Sequence, residues 1–405
     1  MTRPGYKMTE IGEIPEDWEV VAFEEAFNRQ ESLQPKIPKS KFKNKGKFPI
    51  IDQGRDLISG YTDNEELLYK GKLPLIIFGD HTLCVKYVDF RFAVGADGTK
   101  LLIPNNQGFT PKFLYYALLG KNLKSEGYKR HFSKLRRQPF QRPEISEQQQ
   151  IAKILSTADE AIQRINDQIT QTERLKKGLM QTLLTKGIGH TKFKMTEIGE
   201  IPEEWKTEKI SNLGEVVTGG TPSTSNNSYW NGDIPWIASG DVHQLYIRKA
   251  TKFITKEGYD NSNCRLLPIG SVLVALNGQG KTRGLSAILE IEATCNQSLA
   301  GVILKQDALD SIFLLYQMLY RYTELRGLSG TGRNGLNLEH IRNFTIRFPL
   351  LQEQQKIAHI LSTVDNKLGL LRNKKEFLEK LKRGLMGDLL TGKVRVKLSA
   401  SRSEN

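Results

Sequence analysis

The sequence predicts an α+β fold: two mixed α/β domains joined by two long helices, packed as an antiparallel coiled coil with circular pseudo-twofold symmetry. Three observations carry that expectation. KMTEIGEIPEDW, starting at Lys7, returns at Lys194 as KMTEIGEIPEEW, with Asp17 changed to Glu204. EQQQIAKILSTADEAI from Glu147 returns as EQQKIAHILSTVDNKL from Glu353, and RLKKGLMQTLLT from Arg174 as KLKRGLMGDLLT from Lys380. Between these repeated pieces lie two stretches that have diverged. The differences 353 − 147 and 380 − 174 both equal 206, whereas 194 − 7 equals 187, so the second middle is longer by 206 − 187, or 19 residues.

Taken in order, residues 1–19 hold the short repeated segment, 20–142 the first middle and 143–187 the first long helix. A linker and the second short segment occupy 188–206, the second middle 207–348, the second long helix 349–392 and a tail 393–405. The middles carry short apolar runs broken by Gly, Pro, Asn and Asp, as in LPLIIFGDH, KYVDFRFAVGADG and IGSVLVALNGQG. That is the pattern of short strands and turns. They keep a common skeleton, since FPIIDQGRD from Phe48 parallels IPWIASGDV from Ile234 and LPLIIFGD from Leu73 parallels LPIGSVLVALNG from Leu267.

The long segments place apolar residues mostly in steps of three and four. The first has Ile151, Leu155, Ile162, Ile165, Leu175, Leu179 and Leu183; the second has Ile357, Leu361, Val364, Leu368, Leu371, Leu378, Leu381, Leu385 and Leu389. This spacing is a coiled-coil seam. Pro143 and Pro349 are start signals, and Gly187 and Gly392 punctuate the ends. Two seams in one chain are expected to pack on each other, with burial in another subunit as the alternative. Trp18 and Trp205, in the duplicated short segment, read as packing or partner-docking residues. The glutamines after Glu147 and Glu353 read as docking residues or as solvation of the helix start. If the second long helix ends near Lys7, the frame is a closed ring, and a permutant with joined ends reopened between Lys186 and Lys194 is expected to fold.

Composition limits the function. The hydrophobic fraction of 38% and charged fraction of 26% describe a globular chain. No run of about 18 apolar residues is present to span a membrane, and MTRPGYKMTEIGE lacks a signal-peptide core, so a cytoplasmic location is expected. Cys84, Cys264 and Cys295 are isolated and read as free thiols. The six histidines are scattered without HExxH, so no metal site is expected. Neither an NPPY- or DPPY-like tetrad nor a PD…ExK set is found, so no catalytic residue is assigned. ALNGQGKTRG from Ala275 imitates a P-loop, but Ala275 stands where glycine is required and RGLSAILEI reads as another strand. A hairpin loop is expected there. Lys plus Arg number 59 against 45 acidic residues, a formal net charge of +14, which favours a polyanion, nucleic acid first.

Duplex DNA has local dyads perpendicular to its axis, and a protein twofold aligned with one presents two domains to two half-sites. Such a twofold requires antiparallel long helices. Because the middles differ, the half-sites need not be palindromic.

The chain resembles, over nearly its whole length, the specificity subunit of type I restriction–modification systems. IGEIPEDW/IGEIPEEW, EQQQIAKILSTAD/EQQKIAHILSTVD and KKGLMQTLLT/KRGLMGDLLT carry the resemblance, and VVTGGTPSTSNNSYWNGDIPWIASGDV looks like the start of a second target-recognition domain. The resemblance implies two recognition domains reading a bipartite, gapped site on double-stranded DNA. It also implies a coiled coil that sets the gap and docks two modification subunits, and through them restriction subunits. No cofactor is expected on this chain; S-adenosylmethionine, ATP and Mg are expected on those partners. FNRQESLQPK departs from the usual GGTP-type start, so the first domain's role carries over with little residue detail. The rival readings are an assembly scaffold binding nucleic acid without sequence choice and a stand-alone modification enzyme.

Candidate DNA contacts are basic and amide residues in expected loops. The first middle offers Lys41, Lys43, Lys45 and Lys47; His81 and Thr82; and Lys129, Arg130, His131, Lys134, Arg136 and Arg137. The second offers Thr221, Ser223, Asn226 and Asn227; Asn277, Gln279, Lys281 and Arg283; and Arg333 and Asn334, side-chain types that pair bidentately with guanine and adenine. Most lysines among them are expected on phosphates rather than base edges.

Overall fold

The computed structural model describes residues 2–28, 35–127, 129–278, 281–305, 308–328 and 335–396. Its contacts divide the chain into two compact units, Met1–Asn166 with Asn373–Asn405, and Asp167–Arg372. The division falls partway along both long helices, Ile145–Leu183 and Leu351–Leu389, each 39 residues. At about 1.5 Å per residue each spans ~58 Å.

In the first unit, Tyr6–Thr9 and Gly12–Pro15 form an antiparallel hairpin, and Glu19–Val21 pairs with Phe140–Arg142 at the root of the recognition domain. Above that root, a four-stranded sheet runs in the order Phe27–Asn28, Thr99–Pro104, Leu75–Gly79, Val85–Val88. Its central strand, LIIFG, is buried at every position, which accounts for an unbroken apolar run in place of alternation. A second sheet joins Gly60–Thr62, Phe48–Ile51 and Ala93–Val94. Helix Pro111–Gly120 packs its buried face, Phe113, Leu114 and Ala117, into the core shared with Ile14, Trp18, Ile151 and Leu155. Leu389 and Leu390, from the end of the second long helix, complete that core.

The second unit repeats this order. Phe193–Thr196 and Gly199–Pro202 form the hairpin, and Lys206–Lys209 pairs with Thr345–Phe348. Its larger sheet has five strands, ordered Gly214–Thr218, Leu299–Leu304, Val272–Ala275, Ser286–Leu289, Tyr246–Ile247. A three-stranded sheet joins Lys252–Ile254, Trp230–Ile237 and Thr294–Cys295. Here Leu183 and Leu184, ending the first long helix, share a core with Trp205, Phe313, Ile357 and Leu361.

Most seam residues are buried or half-buried, but Leu175 and Leu381 are corrections to the sequence reading, 55% and 46% exposed. They are equivalent under the 206 offset, and their neighbours explain them. Lys176 turns inward to ion-pair with Asp365 and lies over the Tyr316 ring, while Lys382 does the same with Asp159 and Tyr116. Turning the lysine inward turns the adjacent leucine out. Tyr116 donates to Asp159 (2.8 Å) and Tyr316 to Asp365 (2.6 Å). Burial first, and the aspartate second, push both phenols upward, so they remain protonated donors.

The glutamines at the helix starts are structural rather than solvating. Gln148 Oε1 accepts from Thr110 N and its Nε2 donates to Pro143 O; Gln354 repeats this with Asp310 N and Pro349 O. Each therefore fixes the N-terminus of a recognition-domain helix to the long helix. Trp18 and Trp205 are fully buried packing residues. Among the described residues no helix is long and apolar enough to cross a membrane.

Candidate nucleic-acid interface

In each unit, hydrogen bonds bring together two of the loops singled out in the sequence. In the first, Asp80 follows the buried strand Leu75–Gly79, and its carbonyl accepts from His131 N (2.9 Å) while Oδ1 accepts from Phe132 N (2.8 Å). Loop 79–82 is thereby pinned to loop 129–132. Gln53 ties in a third loop: its Nε2 donates to Asp97 O (2.9 Å), and its Oε1 accepts from His81 N (3.1 Å). The approach is close enough that a Cβ on Gly79 would lie 2.1 Å from Thr82 Oγ1. In the second unit, Leu336 N donates to Leu276 O (2.8 Å), joining the stretch after Ala275 to Gly335–Leu336. A Cβ on Gly335 would sit 2.9 Å from the backbone Leu276 O and would also displace the Asn277 side chain, so a larger residue would force a shift here.

The individual candidates divide by what their side chains already do. Lys41, Lys45 and Lys47 are exposed; Lys43 is exposed but ion-paired with Asp63 (2.8 Å). Lys129, Arg130 and Arg137 are exposed. Lys134 is paired with Glu126 and Arg136 with Glu24, which lowers their charge available to DNA. His131 is a correction. It is 1% exposed, with Nδ1 within hydrogen-bond distance of Asp80 O (3.0 Å) and Nε2 accepting from Glu126 N (3.2 Å), so it builds the loop instead of touching a ligand. Half-buried His81 has Nδ1 3.2 Å from Lys129 O, and the Thr82 hydroxyl donates to Gln53 O (2.5 Å).

In the second unit, the Thr221 hydroxyl bonds Gln297, and Ser223 Oγ lies 2.8 Å from Ser225 Oγ. Asn226 Oδ1 accepts from Ser228 N (3.1 Å) and caps the short turn Asn227–Tyr229. That capping role is the ordinary use of such an amide. Asn227, Asn277 and Lys281 are exposed, and Arg283 is half-buried. Gln279, Arg333 and Asn334 lie outside the described residues. The P-loop imitation is a hairpin: Val272–Ala275 and Ser286–Leu289 pair antiparallel, and the element next after Thr282 is that second strand.

Sequence reasoning missed Asp80, Gln53 and Lys86. A signal existed for Asp80, a carboxylate directly after a fully apolar strand, where burial demands a partner. None existed for Gln53, whose contacts lie 28 and 44 residues away. Among the described residues no cluster of three or more metal-ligand side chains occurs.

Replacing the buried His131 with alanine is expected to remove the imidazole that accepts from Glu126 N and to cost about 1 kcal/mol, the usual net value of one hydrogen bond. Chemical denaturation checks the stability, and tryptic cleavage at Lys129 and Arg130 should accelerate. Unchanged cleavage would show that the histidine does not hold the loop.

The comparisons agree with this architecture. The family profile described as "Type I restriction modification DNA specificity domain" matches twice, at residues 15–173 and 202–380. The type I restriction enzyme MjaVIII specificity subunit of Methanocaldococcus jannaschii is 28% identical, over 95% of this chain and 94% of that protein. The EcoR124I/EcoR124II specificity subunit of Escherichia coli is 29% identical, over 78% and 79%. The crystal structure of the type I restriction–modification S subunit from M. genitalium shares the fold, with a TM-score of 0.65 at 16% identity over 98% of this chain and 100% of that one. With two profile matches that together span most of its length, the chain belongs to the specificity subunits of type I restriction–modification systems.

Proposed function

We propose that this chain selects a bipartite, gapped DNA site for a type I restriction–modification complex. Each recognition domain reads one half-site, and the two long helices, packed as an antiparallel coiled coil with pseudo-twofold symmetry, set the gap. One observation supports this reading above others: an invariant frame carries two divergent loop clusters. Asp159 with Lys382 and Tyr116 in one unit, and Asp365 with Lys176 and Tyr316 in the other, are the same interaction built twice. The attached clusters share no such identity: one is built on Gln53 and Asp80, the other on Asn277 and Gly335. A scaffold without sequence choice gives no reason for that divergence.

The same frame supports docking of two copies of one partner. A groove of about 970 Å³ in the first unit is lined by Ile162, Glu379, Arg383 and Met386, and one of about 630 Å³ in the second by their equivalents Leu368, Glu173, Lys177 and Met180. Met8 and Met195, equivalent hairpin residues, are 67% and 78% exposed. In this reading two modification subunits occupy these surfaces and methylate adenine with S-adenosylmethionine. Restriction subunits recruited through them use ATP and Mg, and this chain supplies recognition without catalysis.

Selection of random duplexes by the chain bound to its modification subunit tests the proposal. Two short words at fixed spacing are expected, and exchanging residues 207–348 for another family member's domain should change one word only. Enrichment without sequence preference would favour the scaffold reading. Arg130→Ala and Lys129→Ala should weaken all duplexes alike and each reduce the salt slope by roughly 0.9, the value for one lost phosphate contact. Filter binding across salt concentrations measures it.

A further inference from the structure

The loop following strand Phe48–Ile51 holds an arrangement that neither net charge nor the lysine-rich segments disclose. Lys86, only 5% exposed, donates its ammonium to the carbonyls of Asp52 (2.8 Å) and Asp56, with the Asp52 carboxylate 3.9 Å away. Asp52 Oδ1 in turn accepts from Gly54 N (2.7 Å) and from the Ser59 hydroxyl, and Ser59 N donates to Ile50 O (2.9 Å). Both ends and the middle of the loop are therefore held from inside. Arg55 and Asp56 are exposed, and Leu57 and Ile58 are 46% and 37% exposed. Among the described residues the Arg55 guanidinium has no hydrogen-bond or ion-pair partner.

The loop's shape is held by these hydrogen bonds, and they leave Leu57 and Ile58 partly open to water. Their display makes sense against a surface that is itself partly apolar. The major-groove floor of duplex DNA is such a surface, because thymine methyls alternate there with guanine acceptors and cytosine amines. Arg55 matches guanine O6 and N7, Asp56 matches a cytosine amine, and Leu57 and Ile58 match thymine methyls. The carboxylate would be repelled by a phosphate, which argues that the loop faces bases. The loop is also joined through Gln53 to His81 and to the loop that ends at Asp97. It thus belongs to the same convergence as Lys129 and Arg130.

We propose that Arg55–Ile58 is the base-reading element of the first recognition domain, with Lys86 as the positioning residue that fixes its shape. The inference rests on the DNA-recognition reading and deepens it. The second domain reads differently, since its parallel stretch, Ser239–Gln244, is a tight turn with Val242 buried.

The test uses the full chain with its modification subunit and S-adenosylmethionine, methylating a library of duplexes varied at each position of both half-words. Wild-type discrimination in both words must be seen first, and its absence would sink the DNA-recognition reading itself. Given that, Arg55→Ala should lower methylation of the preferred site about 5- to 150-fold, the range for one lost base contact, and relax one position in one half-word. Leu57→Ser with Ile58→Ser should relax a neighbouring position of the same word. Lys86→Met should relax those same positions together while the other word keeps its full discrimination. Uniform loss across all sequences from Arg55→Ala would make it a phosphate contact, and an unchanged profile would place the loop off the DNA; either result overturns the proposal. Should Lys86→Met fail to fold, the exposed-residue variants still decide it.

Discussion

Trp205→Ala is expected to destabilise the second unit by about 3–5 kcal/mol, the usual cost of truncating a fully buried aromatic. Trp205 is 0% exposed and meets Phe313 edge-on at 6.3 Å, in the core that also contains Leu183 and Leu184. Whole-domain stabilities run only about 5–15 kcal/mol, so the loss is a large share. Trp18→Ala should act similarly on the first unit. The conservative variants should separate the two copies. Trp18 Nε1 donates to Glu147 Oε2 (2.9 Å), whereas Trp205 Nε1 finds no partner among the described residues. Trp18→Phe therefore leaves a buried carboxylate short of a donor, while Trp205→Phe removes a donor already unsatisfied. Trp18→Phe should cost about 1–3 kcal/mol more than Trp205→Phe in urea unfolding. Equal costs would mean that the indole hydrogen bond contributes nothing.

The second large effect concerns how the first unit is closed. Its N-terminal hairpin meets the end of the second long helix: Tyr6 donates to Gly392 O (2.8 Å), and Arg395 bridges Asp17 (2.7 Å) and Glu147 (2.8 Å). A chain ending at Arg372 would lack Leu389, Leu390 and Arg395, and its first unit is expected not to fold. A permutant with its ends joined and reopened between His190 and Lys194 should behave oppositely. In the second unit His190 occupies the place of Arg395, with Nε2 2.9 Å from Glu353, so reopening after His190 keeps that contact on the helix side. Wild-type cooperative unfolding is expected for the permutant. Circular dichroism melts of both chains check this, and a permutant as damaged as the truncation would refute closure through these residues.

What the sequence disclosed depended on the range of the interaction. The long helices were legible because their apolar spacing is local, and the duplicated hairpins because the residues repeat. The hairpin reading of ALNGQGKTRG also held, since it turned on the residues immediately following Thr282. Leu175 and Leu381 were placed in the seam because periodicity counts apolar residues. It does not register that Lys176 and Lys382 find carboxylates on the other long helix. His131 looked like a ligand contact because a loop's polar side chains are the same whether they face DNA or their own backbone. Lys86 was invisible for the opposite reason: a lysine in an alternating strand reads as solvent-facing, and its acceptors lie 34 and 30 residues earlier. The basic segment Lys129–Gln138 carries fewer available charges than its composition suggests, since Glu126 and Glu24 answer two of them.

The most direct test of the central claim is a map of methylated adenines in a methylation-free host co-expressing this chain with its modification subunit. Two short words separated by a fixed gap, absent when this chain is omitted, is the predicted result. Methylation at one uninterrupted word, or an identical map without this chain, would contradict two divergent readers held on one duplicated frame.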